Sequence, residues 1–251
     1  LVARDLNIAS KQSLEKLSAH NADVFTTVSD ITANECIHLL DKSVDIITPN
    51  GFENDFVPNE TEYAQKREIA RKSFIATAEL LHDYQYQKEP IIVASSGRYE
   101  FYNKGYDLFI DTLGNLNKNE KLEQEILAFI LVPGNNYGPV RYLCNRLNGI
   151  EDDTHIDNNI LTHNLHDVDY DPIVQRIRQN GLNNKPNDKV KIVFVPSYLN
   201  GDDGIFNIKY YDLLPGIDLT AFVSYYEPWG YTPLESIAFG IPTITTNLAG
   251  F

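Results

Sequence analysis

Two carboxylates near the C-terminal end, Glu227 and Glu235, flank Pro228-Trp229-Gly230-Tyr231-Thr232-Pro233-Leu234, with seven residues between them. An apolar, β-prone run from Leu219 to Val223 leads into this string. A helix-like run from Pro233 to Phe239 leaves it and stops at Gly240-Ile241-Pro242. The order is strand, tight polar loop, helix. In an open α/β sheet, loops at the carboxyl ends of strands line the ligand crevice. A loop that opens a helix also presents unpaired backbone N–H groups and the positive end of the helix dipole, which suits a phosphate. With Pro233 at the first helical position, Glu235 falls in the first turn and can face the same crevice as Glu227. A second strand-to-helix loop carries cations: Gly97-Arg98-Tyr99-Glu100-Phe101-Tyr102-Asn103-Lys104-Gly105. Gly97 lets backbone approach a ligand closely. Arg98 offers a planar fork that suits phosphate oxygens, and Lys104 offers a point charge.

These cations stand out because the chain is acidic. It holds 21 Lys and Arg against 35 Asp and Glu, a net charge of −14. That balance argues against general nucleic-acid binding and against anionic membrane surfaces, but not against a local basic pocket for a small anion. Hydrophobic residues make up 43% of 251, enough for a sizeable core in one long domain or two. Cys36 and Cys144 are too few for a disulfide framework and fit a reducing cytoplasm. No run of 18 apolar residues and no signal-peptide pattern occur, so no membrane span is expected. The chain contains no Met, begins at Leu1 and ends at Phe251 just after a strand-like run, so a piece of a longer protein is expected.

The elements that must position these loops read as follows. Residues 8–20 form a helix, Val24–Ser29 a strand, and Thr32-Ala33-Asn34-Glu35 a capping box that opens a second helix. Val44–Thr48 is a strand stopped by Pro49-Asn50-Gly51. Residues 52–61, with Asn54, Asp55, Pro58 and Asn59, read as a hinge. A long helix over 62–82 carries the apolar stripe Tyr63, Ala70, Phe74, Ala78 and Leu81. Continuous apolar strands follow at 90–95, 126–132, 190–195 and 219–223, with a last strand at 243–246, and helices at 106–116, 141–147 and 172–177 between them. This alternation predicts α/β with a parallel sheet covered on both faces. The stretch 150–172 is acidic and polar, with Asp152, Asp153, Asp157, Asp167, Asp169 and Asp171 among His155, His163 and His166. His163 and His166 with nearby aspartates could ligate a metal. No cysteine or repeated ligand spacing supports that, so a solvated surface loop is expected.

The string Ser224-Tyr225-Tyr226-Glu227-Pro228-Trp229-Gly230-Tyr231-Thr232-Pro233 resembles the signature of eukaryotic-type, UDP-glucose-using glycogen synthases, which are retaining glycosyltransferases of the GT-B fold. So do the Gly97–Gly105 loop and the string Ala19-His20-Asn21-Ala22-Asp23-Val24-Phe25-Thr26-Thr27-Val28-Ser29. The resemblance implies two Rossmann-like lobes. Residues 1–58 would be the tail of the acceptor-side lobe plus the hinge, and 59–251 the nucleotide-sugar lobe. It implies transfer of glucose from UDP-glucose to the non-reducing end of an α-1,4-glucan, with retention at the anomeric carbon. By the same resemblance Arg98 and Lys104 hold the diphosphate, Glu227 and His20 contact the glucose, and Glu235 accepts from the ribose hydroxyls. Gly97, Gly230, Tyr231, Thr232 and Tyr210 complete the donor site, with Tyr210 near the uracil. On residue chemistry alone His20 could equally be a histidine at a helix C-terminus, favoured there by the dipole, and Tyr210 a core tyrosine.

The cations would replace a metal, so no metal and no other cofactor is expected. A homo-oligomer is possible. The family carries Phe-His-Pro-Glu-Phe-Leu where this chain has Phe194-Val195-Pro196-Ser197-Tyr198-Leu199, which puts the nucleotide pocket's details in question. Three other readings stand beside this one: a GT-B transferase with another donor or acceptor, a nucleotide-binding module without catalysis, and an oxidoreductase. The last lacks the expected Gly-x-Gly-x-x-Gly with its acid about 20 residues on. This chain by itself is expected to bind UDP weakly and to turn nothing over.

Overall fold

The computed structural model describes residues 2–153 and 158–251. The chain forms two compact units. The first holds residues up to Glu53 together with Tyr226–Tyr231 and Asn247–Phe251; the second holds Asn54–Tyr225 and Thr232–Thr246.

In the first unit, helices α1 (Val2–Asp5) and α2 (Ala9–Asn21) precede a short strand β1 (Thr26–Thr27), helix α3 (Asp30–Leu40) and strand β2 (Ile46–Ile47). The strands pair in parallel, Thr26 opposite Ile46 and Thr27 opposite Ile47. They are much shorter than the predicted 24–29 and 44–48. The capping box of α3 also sits one turn earlier than predicted. Ser29 is the cap and Thr32 the third helical residue, each side chain bonded to the other's backbone N–H. Both residues are hydroxyl donors and acceptors, so sequence alone allowed either to lead.

The second unit runs α4 (Glu60–His82), β3 (Ile91–Ser96), α5 (Tyr106–Asn117), β4 (Ile126–Leu131), β5 (Asn136–Pro139), α6 (Arg141–Leu147), β6 (His163–Leu165), α7 (Pro172–Gln179), β7 (Val190–Val195), α8 (Tyr210–Leu213), β8 (Leu219–Phe222), α9 (Tyr231–Ala238) and β9 (Thr243–Thr245). Its five-stranded sheet is wholly parallel, in the order β7-β4-β3-β8-β9. Strands successive in the chain step outward from β3 on one side, then the chain returns to place β8 on the other. The boundary between β3 and β8 is therefore a topological switch point, where a crevice opens at the carboxyl ends of the strands.

Burial on both faces explains why these strands read as unbroken apolar runs. Along β4, Leu127, Phe129 and Leu131 face one core with Phe74, Leu81, Leu143 and Leu213. Ile126, Ala128 and Ile130 face the other with Tyr106, Ile110, Ile173 and Ile177. The predicted stripe of α4 is the packed one: Ala70, Phe74, Ala78 and Leu81 are fully buried. Its start is fixed by a capping box between Asn59 and Glu62. An ion-pair cluster clamps α4 to the sheet. Arg67 and Arg71 both reach Asp218, whose carboxylate also accepts the Ile92 amide at 2.8 Å. The antiparallel pair β5–β6 was not expected from sequence.

Candidate functional site

In the second unit, a cleft of about 280 Å³ opens at the carboxyl ends of β3, β4 and β7. Its walls include Ser96 and Gly97 after β3, Leu131 and Pro133 after β4, and Ser197, Tyr198, Leu199 and Asn200 after β7. Tyr210 of α8 and Thr232 in the first turn of α9 complete it. Three predicted donor residues, Gly97, Tyr210 and Thr232, are thereby brought together.

Two glycines shape the loop after β3. Gly97 has φ +145°, and a Cβ there would meet the Tyr106 hydroxyl at 3.1 Å. Gly105 has φ +68°, and its Cβ would lie 2.1 Å from the Val223 carbonyl oxygen. Only glycine allows that approach to the end of β8. The Tyr225 amide donates to the Asn103 carbonyl at 2.9 Å, so the loops after β3 and β8 are bonded across the switch point. The Tyr106 hydroxyl donates to the Arg98 carbonyl at 3.1 Å, and the Lys104 amide donates to the Glu100 carbonyl at 2.8 Å. The Arg98 side chain is three-quarters exposed and pairs with Glu100 at 3.1 Å. Glu100 in turn accepts from the Asn103 side-chain amide at 2.8 Å.

Tyr210 shares a hydrogen bond of 2.9 Å with the Ser96 hydroxyl, and burial pushes its own hydroxyl up in pKa. Helix α9 begins at Tyr231, two residues earlier than predicted. Pro233 is the third helical residue, a position where its missing N–H costs no bond. Glu235 consequently lies in the second turn, not the first. It sits three residues after Thr232 and so on the same helical face. It is half-buried, and burial raises its carboxyl above the usual range, opposed by a 2.8 Å hydrogen bond from the Tyr211 hydroxyl. Nothing in the sequence pattern assigns Tyr211 a role.

In the first unit, Glu227 lies in a parallel bridge with Ala249. Its amide donates to the Leu248 carbonyl at 3.1 Å, and its carbonyl accepts from Gly250 at 3.0 Å. Gly250 is required there, because a Cβ would meet the Pro228 oxygen at 2.2 Å. Trp229 packs edge-on against Phe251, and Tyr226 donates to Glu35 of α3 at 2.6 Å. Gly230 has φ +102° and leads into Tyr231, which is about half exposed. His20, in the last turn of α2, is exposed and meets the Leu40 carbonyl at 2.9 Å through Nε2. It lines a hollow with Gln12, Ser13, Lys16 and Leu17.

The histidines of the 150–172 stretch divide. His155 lies outside the described residues, as does Asp157. His163 is buried in β6, held by the Thr162 hydroxyl at Nδ1 and the Asp203 carbonyl at Nε2, both at 2.8 Å. Those two bonds occupy both ring nitrogens. Among the described residues, no group of three or more His, Cys, Asp or Glu is placed to hold a metal ion. Likewise no helix among them is long and apolar enough to cross a membrane.

Compared with known proteins, residues 3–140 and 152–251 match the family model described as glycogen synthase. The glycogen [starch] synthase of Neurospora crassa is 32% identical over 97% of this chain and 43% of that protein. Isoform 2 of Saccharomyces cerevisiae is 32% identical over 97% and 44%, and the rat liver enzyme 31% over 99% and 43%. The chain therefore spans less than half the length of these relatives. Among solved structures, the catalytic domain of starch synthase IV from Arabidopsis thaliana, bound to ADP and acarbose, superposes with a TM-score of 0.50 at 16% identity, covering 94% of this chain and 41% of that one. WaaG, a glycosyltransferase of lipopolysaccharide biosynthesis, gives 0.50 at 19%, covering 90% and 44%. Those likenesses are of fold, and the fold is α/β of the GT-B type with a parallel sheet.

Proposed function

The chain belongs to the glycogen synthase family, and from that premise we propose that it serves a retaining transfer of glucose from UDP-glucose to the non-reducing end of an α-1,4-glucan. The observation that carries this reading is the cleft at the switch point. It joins Gly97 of the cationic loop, Tyr210 and the α9 N-terminus in one concave wall.

The reaction breaks the bond between the glucose anomeric carbon and the β-phosphate oxygen and forms one to an acceptor hydroxyl oxygen. The departing UDP gathers negative charge on its β-phosphate. Preorganised donors aimed at that charge are the largest lever a site of this kind has. Arg98 supplies one: its exposed pair with Glu100 is worth about 0–1 kcal/mol, so exchange of that carboxylate for a diphosphate is easy. Lys104 supplies a second charge. The N–H groups of Tyr231, Thr232 and Leu234 at the start of α9 supply dipoles; Pro233 supplies none. These groups do the neutralising for which other transferases use a divalent ion, so none is required here.

Glu227 hydrogen-bonds the glucose and stands beside the positive charge that develops on its ring, as a stabiliser rather than a covalent nucleophile. His20 contacts the same sugar, and Glu235 accepts from the ribose. Tyr231 packs on base or sugar. The two cysteines are free, which suits a reducing cytoplasm.

The test is Glu227→Gln in the full-length protein. Transfer is expected to be lost while UDP affinity holds, and unchanged turnover would refute the role. A second reading, a different nucleotide-sugar donor, is favoured by one observation. The cleft wall carries Ser197 and Tyr198 within the string that departs from the family wording. A donor panel of UDP-glucose and ADP-glucose separates the two.

A further inference from the structure

Tyr210 and Tyr211 are consecutive, yet their hydroxyls serve different elements. Tyr210 turns to Ser96 and the cleft wall. Tyr211 turns to α9, where its hydroxyl donates to Glu235 Oε1 at 2.8 Å. The Tyr211 ring is fixed independently of that bond. It stacks on Phe239 with centroids 6.0 Å apart and planes 16° apart, and lies 4.7 Å from Phe56. Phe239 directly follows α9, and its amide donates to the Glu235 carbonyl at 3.0 Å, so the two side chains, four residues apart, continue one helical face. One tyrosine thus grips that face twice, by its ring at one residue and by its hydroxyl at the other.

We propose that Tyr211 is a positioning residue that locks the Glu235 carboxylate for the ribose of the donor, which rests on the reading of Glu235 as a ribose acceptor. A glutamate on a helix surface has three rotatable bonds, and ordering them costs entropy when ligand arrives. Here the order is already present. A carboxylate has about four acceptor positions on two oxygens; Tyr211 uses one on Oε1, and in this reading the ribose hydroxyls use others. The stacked ring makes the donor rigid, so the carboxylate is held by a group that does not itself need ordering. Burial favours the neutral acid at Glu235, and the Tyr211 hydrogen bond opposes that. The same bond therefore also keeps the group an acceptor.

The experiment is calorimetric titration of UDP and of 2′,3′-dideoxy-UDP into the full-length protein, its Tyr211→Phe variant and its Glu235→Gln variant. Tyr211→Phe keeps the ring stack and removes one oxygen, and a thermal melt checks that folding is unaltered. The expected result is UDP binding weakened about 5-fold in Tyr211→Phe, the net size of one hydrogen bond, with dideoxy-UDP bound as by the wild type. Equal UDP affinity in Tyr211→Phe overturns the proposal. So does equal weakening toward both ligands, which marks a merely structural tyrosine. If Glu235→Gln and removal of the ribose hydroxyls both leave wild-type affinity intact, the ribose role of Glu235 itself fails, and the proposal with it.

Discussion

Lowering the pH from 7.5 to 5.0 is expected to remove about 2 kcal/mol of stability through His82 alone. His82 ends α4 and is buried, with neither ring nitrogen in a hydrogen bond of ordinary length and angle. Burial, with help from the positive charge of Lys191, lowers its folded pKa from 6.5 to about 3; the Ile192 carbonyl gives partial relief. The C-terminal end of a helix favours a cation by only about 0.3–1 kcal/mol, far less than desolvation takes away. Below pH 6.5 the unfolded chain therefore binds a proton that the folded chain refuses. Stability from this group is whole above 6.5 and falls by about 1.4 kcal/mol for each further unit until the folded value is reached. At pH 5.0 the deficit is 1.5 units, hence about 2 kcal/mol, against a total of roughly 5–15 for a typical domain. The assay is urea unfolding followed by circular dichroism at both pH values, in wild type and His82→Leu. The variant lacks the titrating ring, so its loss on acidification should be smaller by about that amount. His163, also lowered by burial, is common to both proteins and cancels. Equal losses in the two proteins would refute the reasoning.

Three other outcomes are expected. Asp218→Ala removes the carboxylate shared by Arg67 and Arg71 and the acceptor of the Ile92 amide, while Arg71 keeps Glu89 at 3.1 Å; it should lower stability by about 1–3 kcal/mol, read as a shift of the urea midpoint. Gly105→Ala places a methyl 2.1 Å from the Val223 oxygen at φ +68°; roughly 1–3 kcal/mol of destabilisation follows, together with loss of UDP binding, whereas Gly149→Ala, at φ +73° but with nothing within 4 Å, should cost less. Arg98→Ala and Lys104→Ala should each abolish or sharply weaken the heat of UDP binding measured in the presence of a chelator, and wild-type heat that vanishes with the chelator would show that a metal is needed.

Much of the second unit was legible because its signals are local. Helix α4 showed itself through the spacing of Ala70, Phe74, Ala78 and Leu81, and β4 and β7 through apolar runs that only two-sided burial explains. What escaped depends on partners far along the chain. The strands β5 and β6 are short and polar, and Asn136 pairs with Leu165 across a stretch with no periodic signal. Lys191 is the second residue of the apolar strand β7, tolerated because its ammonium donates to the Glu125 carboxylate and the Asp188 backbone carbonyl and lies 3.8 Å from the centre of the Tyr84 ring. The start of α9 was misplaced because proline is acceptable at several first-turn positions, and only the chain beyond Gly230 decides among them. The loops of the candidate site were legible as strand-to-helix turns rich in glycine and charge. The Tyr211–Glu235 bond was not, since it joins faces of two helices 24 residues apart.

The strand order β7-β4-β3-β8-β9 also has a consequence in time. During synthesis β3 and β4 can pair as soon as both have emerged, but the other edge of β3 must wait for β8, roughly 90 residues later, or some 5–20 seconds at ordinary elongation rates. For that interval the central strand of the finished sheet is an open, apolar edge, the kind that invites pairing with a neighbouring chain. The loop after β3 waits as well, because Gly105 and Asn103 take their partners from Val223 and Tyr225. The nascent protein is thus most vulnerable to aggregation during the same seconds in which it cannot yet form the site that a ligand would stabilise.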